Sequence, residues 1–439
     1  MLPVDADLTP SADHRWLAVG QSGDADARQA GQRATAAALG GRPDPKLLIV
    51  FCCEAYDLAE LVEGIRAAAG DTPMIGCSTA GEISTGGPGD AGVVVTALGG
   101  PGFDVATAAA DAADGRLRQA GAEVAACLDR LPDANPVPDP ETDRGPDAHP
   151  APGADAHPAP GADAGAAIAD APAGKSHRVL LLLTDGLAGD QAEIVRGAYR
   201  VVGAEVPLVG GCAGDDLRMA GTAQLHDGKV LRHAVVAAAI ASDAPLGIGV
   251  RHGWRRVGSP MVVTRSEGNR VHLLDDAPAL DVYLQRLQAP PAAHTDPQAF
   301  TRFAMTHPLG LSRRSGEEVR FVAGADFTDR SIACIAQVPQ GGLTWFMEGD
   351  DDSVLDATDA ACGDALAALG GRPPLGFLAF DCIARRGVLG EAGISREVDR
   401  IASFAAGAPV AGFYTYGEIA RTHGISGFHN QTLVVLAVA

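Results

Sequence analysis

The apolar positions of this chain fall into a pattern that repeats. Lys46-Leu47-Leu48-Ile49-Val50-Phe51 is a short apolar run of the buried-strand kind. Over 57–69 the apolar residues shift to helical spacing at Leu58, Leu61, Val62 and Ile65, and Pro73 then opens a second strand. The same order returns at 178–183, with a helix near 191–202 and a strand after Pro207, and again at 374–380, with a helix near 396–405 and a strand after Pro409. Three strand-helix-strand units predict an α/β fold of mixed, largely buried sheets in two related domains. Between them, Gln224-Leu225-His226, the turn pair Asp227-Gly228 and the run 230–241 predict a hairpin. A second half is expected to begin near Val250. A helix is expected over 350–369, with Asp350, Asp351 and Asp352 at the positive end of its dipole, and a buried final strand over 433–438.

Each unit ends in a related turn. Pro-x-x-Gly-x-x-Thr-x-Gly-Glu-Ile occurs at 73–83 and again at 409–419, and a gapped relative lies at 207–216, where Asp215 stands for the acid after Ala-Gly. Glycines at strand ends let amide hydrogens point at an anion, and the following acid can pair with a cation. A small zwitterion would suit both, its ammonium on Glu82 or Glu418. The alternative is structural: glycine for the turn alone, the acid capping the next segment. Thr79 and Thr415, polar residues that packing by itself does not demand, favour a site. The candidate contacts are Gly76, Ser78, Thr79, Gly81 and Glu82 in the first copy, and Gly210, Gly211, Asp215 and Asp216 in the second. The third supplies Tyr414, Thr415, Tyr416, Gly417 and Glu418, with His429, Asn430 and Gln431 beside the final strand.

Composition narrows the function classes. A chain of 439 residues, 46% apolar, has room for about two or three domains with real cores. A formal charge of −21 opposes phosphate backbones and anionic lipid surfaces, so nucleic acid is not an expected partner. The eight cysteines lack CxxC spacing, which predicts a reduced protein with neither a disulfide framework nor a zinc site. The acidic start lacks a secretory n-region and h-region, and no apolar run approaches the roughly 20 residues of a membrane span, so a cytoplasmic location is expected. The stretch 132–176 is rich in Pro, Ala, Asp and Gly and repeats 147–154 verbatim at 155–162, so a disordered insertion is expected there.

Catalytic signatures largely fail. The 76–81 segment misses the nucleophile elbow by one residue, Gly174-Lys175-Ser176 lacks the first P-loop glycine, and Gly247-Ile248-Gly249 lacks the third glycine of a dinucleotide fingerprint. The second copy carries Phe413 and Tyr414 at the matched positions, which excludes a duplicated nucleophile. Cys77 alone remains as the basis of a cysteine-dependent enzyme, against the plainer reading of a buried thiol. His252 and His429 are the better candidates for an axial haem ligand, and without CxxCH any haem would be non-covalent. No metal site and no cofactor are otherwise expected.

The turns at 76–82, 210–216 and 412–419, with Phe428-His429-Asn430-Gln431-Thr432, resemble those of FIST proteins, which pair an N-terminal and a C-terminal FIST domain in bacterial and archaeal signal transduction. The resemblance runs from about Trp16 to Ala439 outside the 132–176 insertion. It implies a FIST N-terminal domain over 15–249 and a FIST C-terminal domain over 250–439. It further implies a cytosolic sensor of an amino acid or similar small polar metabolite, acting in trans on a separate histidine kinase, diguanylate cyclase or chemoreceptor-type output. Some members of the family bind haem and sense nitric oxide, which is the second function the resemblance allows.

Overall fold

A computed structural model describes residues 14–132, 175–313, 316–422 and 427–439. The insertion expected at 132–176 lies outside the described residues over 133–174. The chain builds three lobes of one plan. Lobe 1 runs β1 (Trp16–Ser22), α1 (Ala27–Leu39), β2 (Pro45–Cys52), α2 (Leu58–Ala69), β3 (Met74–Ser78), the hairpin β4 (Glu82–Ser84) and β5 (Gly87–Gly89), then β6 (Val93–Gly99). Lobe 2 repeats this as β7 (Phe103–Asp111), α3 (Leu117–Ala125), β8 (His177–Thr184), α4 (Gln191–Val202), β9 (Leu208–Cys212), β10 (Gln224–His226), β11 (Lys229–Leu231) and β12 (Ala234–Ser242).

Lobe 3 begins with β13 (Leu246–Arg251) and is then interrupted by an inserted unit. That unit comprises β14 (Arg255–Glu267), β15 (Arg270–Leu274), β16 (Ala277–Pro278), α5 (Ala279–Arg286), α6 (Pro297–Ala304), β17 (Leu309–Arg313), β18 (Gly316–Arg320), β19 (Val322–Asp326), β20 (Ser331–Cys334) and β21 (Leu343–Glu348). Its strands form their own antiparallel sheet around a separate apolar cluster that includes Tyr283, Phe300 and Phe346. Lobe 3 then resumes with α7 (Asp351–Ala367), β22 (Gly376–Cys382), α8 (Ile383–Ala405), β23 (Val410–Thr415), β24 (Glu418–Arg421), β25 (Phe428–His429) and β26 (Leu433–Val438).

Local sequence explains the helices. Asp57 and Asp190 accept the first free amides of α2 and α4, and Asp350 closes a capping box with Ser353 at α7, as the acid run at that point predicts. The helix expected at 396–405 is the second half of the longer α8, which Gly390 (φ 60) breaks. The expected hairpin strand over 230–241 is also two elements. His233 turns left-handed (φ 50) between β11 and β12, sending them to different sheets.

In each lobe a parallel pair lies at the centre: β2 with β3, β8 with β9, and β22 with β23. The motif glycine of the second strand sits opposite a carbonyl it cannot afford to crowd. A Cβ on Gly76, Gly210 or Gly412 would meet the facing Val50, Leu182 or Ala379 oxygen at 2.6, 1.9 and 2.0 Å. The hairpin that follows then leaves its own lobe. β4–β5 of lobe 1 extends the lobe 3 sheet beside β23, β10–β11 of lobe 2 extends the lobe 1 sheet beside β3, and β24–β25 of lobe 3 extends the lobe 2 sheet beside β9. The exchange is cyclic. Inner sheet faces from all three lobes meet in one core, where Phe380 packs edge to face on both Phe51 and Phe413, while each outer face is covered by its own helix pair.

Candidate functional site

The cyclic exchange brings the three motif turns into a ring of main-chain bonds. Ser78, Cys212 and Tyr414 amides donate to the carbonyls of Ala223, Gly417 and Gly81, at 2.9, 2.8 and 2.8 Å. Gly214, Tyr416 and Ala80 amides donate back to the Ser78, Cys212 and Tyr414 carbonyls, at 3.0, 3.1 and 3.1 Å. Each turn is thus bonded to the other two.

Register identifies the acid's partner in each copy. Glu82 pairs across from Phe413, Glu418 from Gly211 and Gln224 from Cys77, three equivalent strand positions. The counterpart of the two glutamates in lobe 2 is therefore Gln224, and Asp215 occupies the place of Gly81. Gln224 hides from sequence comparison because the loop 215–223 separates it from its turn. Once found, it makes the same bonds. Glu82 accepts Thr79 Oγ1 at 2.6 Å and the Gly92 amide at 3.1 Å; Glu418 accepts Thr415 Oγ1 at 2.5 Å and the Thr432 amide at 3.1 Å. Gln224 donates to Thr222 Oγ1 at 3.2 Å and accepts the Ala234 amide at 3.1 Å. Each side chain ties its turn to the head of its own lobe's returning strand.

The environments of these three differ. Glu418 and Gln224 are completely buried. Burial pushes the Glu418 carboxyl up to about 7 against the pull of Thr415 and Thr432. Glu82 is also raised to about 7, first by desolvation, with Thr79 and Gly92 opposing and the charges of Asp216 and Asp90 adding to it. Yet Glu82 lines a cleft of about 520 Å³ between the 21–23 loop and the glycine-rich hairpin 86–92. Glycine keeps this floor clear: a Cβ on Gly89 or Gly92 would stand 3.7 or 3.6 Å from Glu82 Oε2. Asp90 at the cleft's wall is ion-paired at 2.5 Å with Arg386 of α8, which also donates to the Ala80 carbonyl and lies 5.0 Å above the Tyr414 ring. Gly81 has φ 112 and Arg386 stands where its side chain would go.

The remaining candidates divide by burial. Ser78 donates to the Gly214 carbonyl and accepts the Ala223 amide, and Gly76, Gly210 and Gly211 lie within buried strands. Asp215 is held low: desolvation works to raise it, but Tyr416 and the amides of Gly221, Ala220 and Met219 outweigh that. The loop it organises carries Asp216, Leu217 and Met219 at φ 60, 59 and 52, with Leu217 and Met219 exposed. Thr415 and Gly417 are buried. Asn430 and Gln431 are buried too, and Asn430 Oδ1 and Gln431 Oε1 accept no bond among the described residues.

A second buried polar group, not singled out in the sequence, lies in lobe 3. Arg385 bonds Asp381 at 2.7 Å, Thr358 at 2.9 Å and also Glu397, all in the core. Burial, then the Glu397 charge, raises Asp381 well above the usual carboxylate range. Asp381 Oδ2, Glu397 Oε2 and the Tyr414 hydroxyl have no partner among the described residues.

Cys77 is fully buried, and desolvation raises its thiol well above its ordinary value, which suits a packing role. His252 spends its Nδ1 lone pair on the Trp254 amide and is lowered to about 4 by burial; the cleft beside it is lined mostly by charged side chains, Arg251, Arg255, Asp350, Asp352 and Asp356, with Trp254 and Ala357 as its apolar part. His429 gives Nε2–H to the Ala420 carbonyl and neighbours the charged Glu318 and Arg320. As placed, these surroundings do not fit the apolar slot a haem face requires. Among the described residues no group of three or more His, Cys, Asp or Glu is placed to hold a metal, and no helix is long and apolar enough to cross a membrane.

Residues 46–277 match the family described as FIST N domain, and residues 279–421 the family described as FIST C domain. Two curated relatives, both uncharacterized proteins from strains of Mycobacterium tuberculosis, are 26% identical over 231 residues, covering 51% of this chain and 59% of theirs. The match thus spans less than two thirds of the relatives' length.

Proposed function

This chain belongs to the FIST family, and on that premise we propose that it is a non-enzymatic sensor of a small polar metabolite that binds in the Glu82 cleft. FIST domains are associated with signal-transduction sensing of small ligands. The observation that carries the proposal is the contrast among three equivalent positions. Glu418 and Gln224 are fully buried, whereas Glu82, which makes the same internal bonds and is itself only 2% exposed, lines a cleft that reaches solvent. A carboxylate oxygen has two lone pairs, so Glu82 Oε2 retains capacity for a ligand donor beyond the Gly92 amide. An ammonium group suits it best, because a cation favours the charged carboxylate that burial disfavours. An amino acid or a related amine is the ligand class.

Binding would be felt beyond lobe 1. The cleft wall is the β4–β5 hairpin, which belongs to the lobe 3 sheet, and Asp90 in the same wall is clamped by Arg386 of lobe 3. A ligand that tightens the hairpin biases the contact between lobes, the kind of differential interaction a sensor requires. The output is a separate signalling protein, a histidine kinase, a diguanylate cyclase or a chemoreceptor-type module.

Thermal-shift screening against amino acids and amines tests the reading. A ligand present at a hundred times its dissociation constant adds about 2.7 kcal/mol to the native state. The shift should vanish in Glu82→Gln. A shift of equal size in that variant would remove Glu82 from the site.

A further inference from the structure

The Arg385 cluster of lobe 3 sets one positive charge against two carboxyls. Arg385 spends its donors on Asp381 Oδ1 at 2.7 Å, the His252 and Val354 carbonyls at 3.2 and 3.3 Å, Thr358 Oγ1 at 2.9 Å and Glu397 Oε1. Thr358 also bonds Glu397 Oε1, at 2.7 Å. One oxygen of each carboxyl, Asp381 Oδ2 and Glu397 Oε2, is left without a partner among the described residues. Both side chains are buried, at 0% and 1% exposure, so bulk water does not reach them. The two carboxyls nevertheless stand within hydrogen-bonding reach of each other.

Two carboxylates at that separation repel, and a net negative charge in a core is costly. The surroundings do not compensate it. Glu418 of β24 can only add negative charge, Tyr414 of β23 is a neutral phenol, and burial keeps the Cys362 thiol of α7 protonated and the His252 ring neutral. Arg386 lies over the Tyr414 ring and is spent on Asp90. A metal ion would have to sit against the Arg385 guanidinium, and no group of three or more His, Cys, Asp or Glu is placed to hold one among the described residues. A proton answers both needs. It turns one carboxyl into a donor and leaves the other an acceptor, which pairs the two orphan oxygens and makes Asp381, Glu397 and Arg385 neutral together.

We propose that Asp381 and Glu397 hold one proton in common in the native state at neutral pH, and that this carboxyl–carboxylate bond latches α8 to β22. Asp381 belongs to β22, Arg385 to the first half of α8 and Glu397 to the half beyond the break at Gly390, so the bond holds both halves at their bend. Burial, and then the Glu397 charge, raises Asp381 well above its ordinary 3.8, as a proton kept past neutrality requires. The stability this proton carries is therefore fully present below the ordinary value and is lost as pH rises toward the raised one. Alkaline pH leaves an unpaired charge at the bend and loosens the second half of α8. The latch does not depend on any ligand at Glu82.

Asp381→Asn and Glu397→Gln test it, because each carboxamide carries permanently the hydrogen that the proton supplies and leaves one carboxylate for Arg385. Infrared spectra of the full chain at about pH 8 read the proton directly, and urea unfolding at successive pH values above the ordinary carboxylate range reads its linkage. Wild type should show a protonated-carboxyl C=O band that moves down in D2O and is missing from both variants. Its unfolding constant should rise about tenfold per pH unit relative to that of either variant. Should one variant fail to fold, the other carries both readings. A wild-type spectrum without the band, a band that persists in a folded variant, or equal pH slopes in wild type and variant overturns the proposal.

Discussion

Glu82, Gln224 and Glu418 are one position sampled three times, and the chain has already performed an informative substitution. Gln224 shows that an amide can take the carboxylate's place, bonding the neighbouring threonine and the head of the returning strand. Glu418→Gln should therefore fold. It should also change the pH response. The folded value of Glu418, about 7, lies above the ordinary 4.5. The carboxyl's contribution is fully favourable below 4.5 and is lost as pH rises through 7. A shift of this size corresponds to roughly 3 kcal/mol. Wild type should thus lose stability relative to Glu418→Gln by about that amount between pH 4 and pH 8 in urea unfolding, and equal pH slopes would refute the assignment. The Arg385 cluster supplies a second residue-scale test. Arg385→Met strands two buried carboxyls and should cost on the order of 3–5 kcal/mol, whereas Tyr414→Phe removes a hydroxyl with no partner among the described residues and should be neutral or mildly stabilising. Denaturant midpoints separate the two. Of this chemistry the sequence displayed the Thr79–Glu82 and Thr415–Glu418 pairs, because they sit at fixed spacing. It concealed Gln224 behind an interposed loop, and Asp381, Arg385 and Glu397 because their meeting depends on how α8 bends at Gly390.

Elements with strong periodicity were legible in advance. The α4 helix spans 191–202 as expected, α2 and α7 begin where their capping aspartates stand, and β26 fills 433–438. The three-residue strand β4 was not, because it is too short to carry a pattern, and although 224–226 was expected as one arm of a hairpin, its pairing with β3 of another lobe was not. The repeated glycine did signal them indirectly. It marks where the second strand of each parallel pair passes a neighbouring carbonyl too closely for a side chain. Gly210 is the tightest case, with a Cβ 1.9 Å from the Leu182 oxygen and φ 144. Gly210→Val should cost more than about 4 kcal/mol. Soluble yield and thermal unfolding of the variant check this, and a near-native melting temperature would show that the strand has freedom the structure does not display.

On the scale of the whole molecule, three strand-helix-strand units were readable, but not that they close into a ring. Hydrophobic patterning fixes which face of a sheet is buried and leaves open what it is buried against. Here the inner faces of all three sheets share one core, and each sheet is completed by a hairpin from another lobe. Residues 1–249 alone would leave β4–β5 without β23 and β9 without β24, so this fragment should not fold to a protease-resistant state. Limited proteolysis beside the full chain decides it, and a stable fragment would mean the exchange adds little. The same ring makes a ligand beside one exchanged hairpin a lever on the others, which is the core of the sensor account. The most direct measurement is calorimetric titration of amino acids and amines into wild type, Glu82→Gln and Glu418→Gln. The account predicts an amine-bearing ligand that binds wild type and Glu418→Gln with similar affinity and Glu82→Gln at least tenfold more weakly. Equal binding to Glu82→Gln and wild type would contradict it.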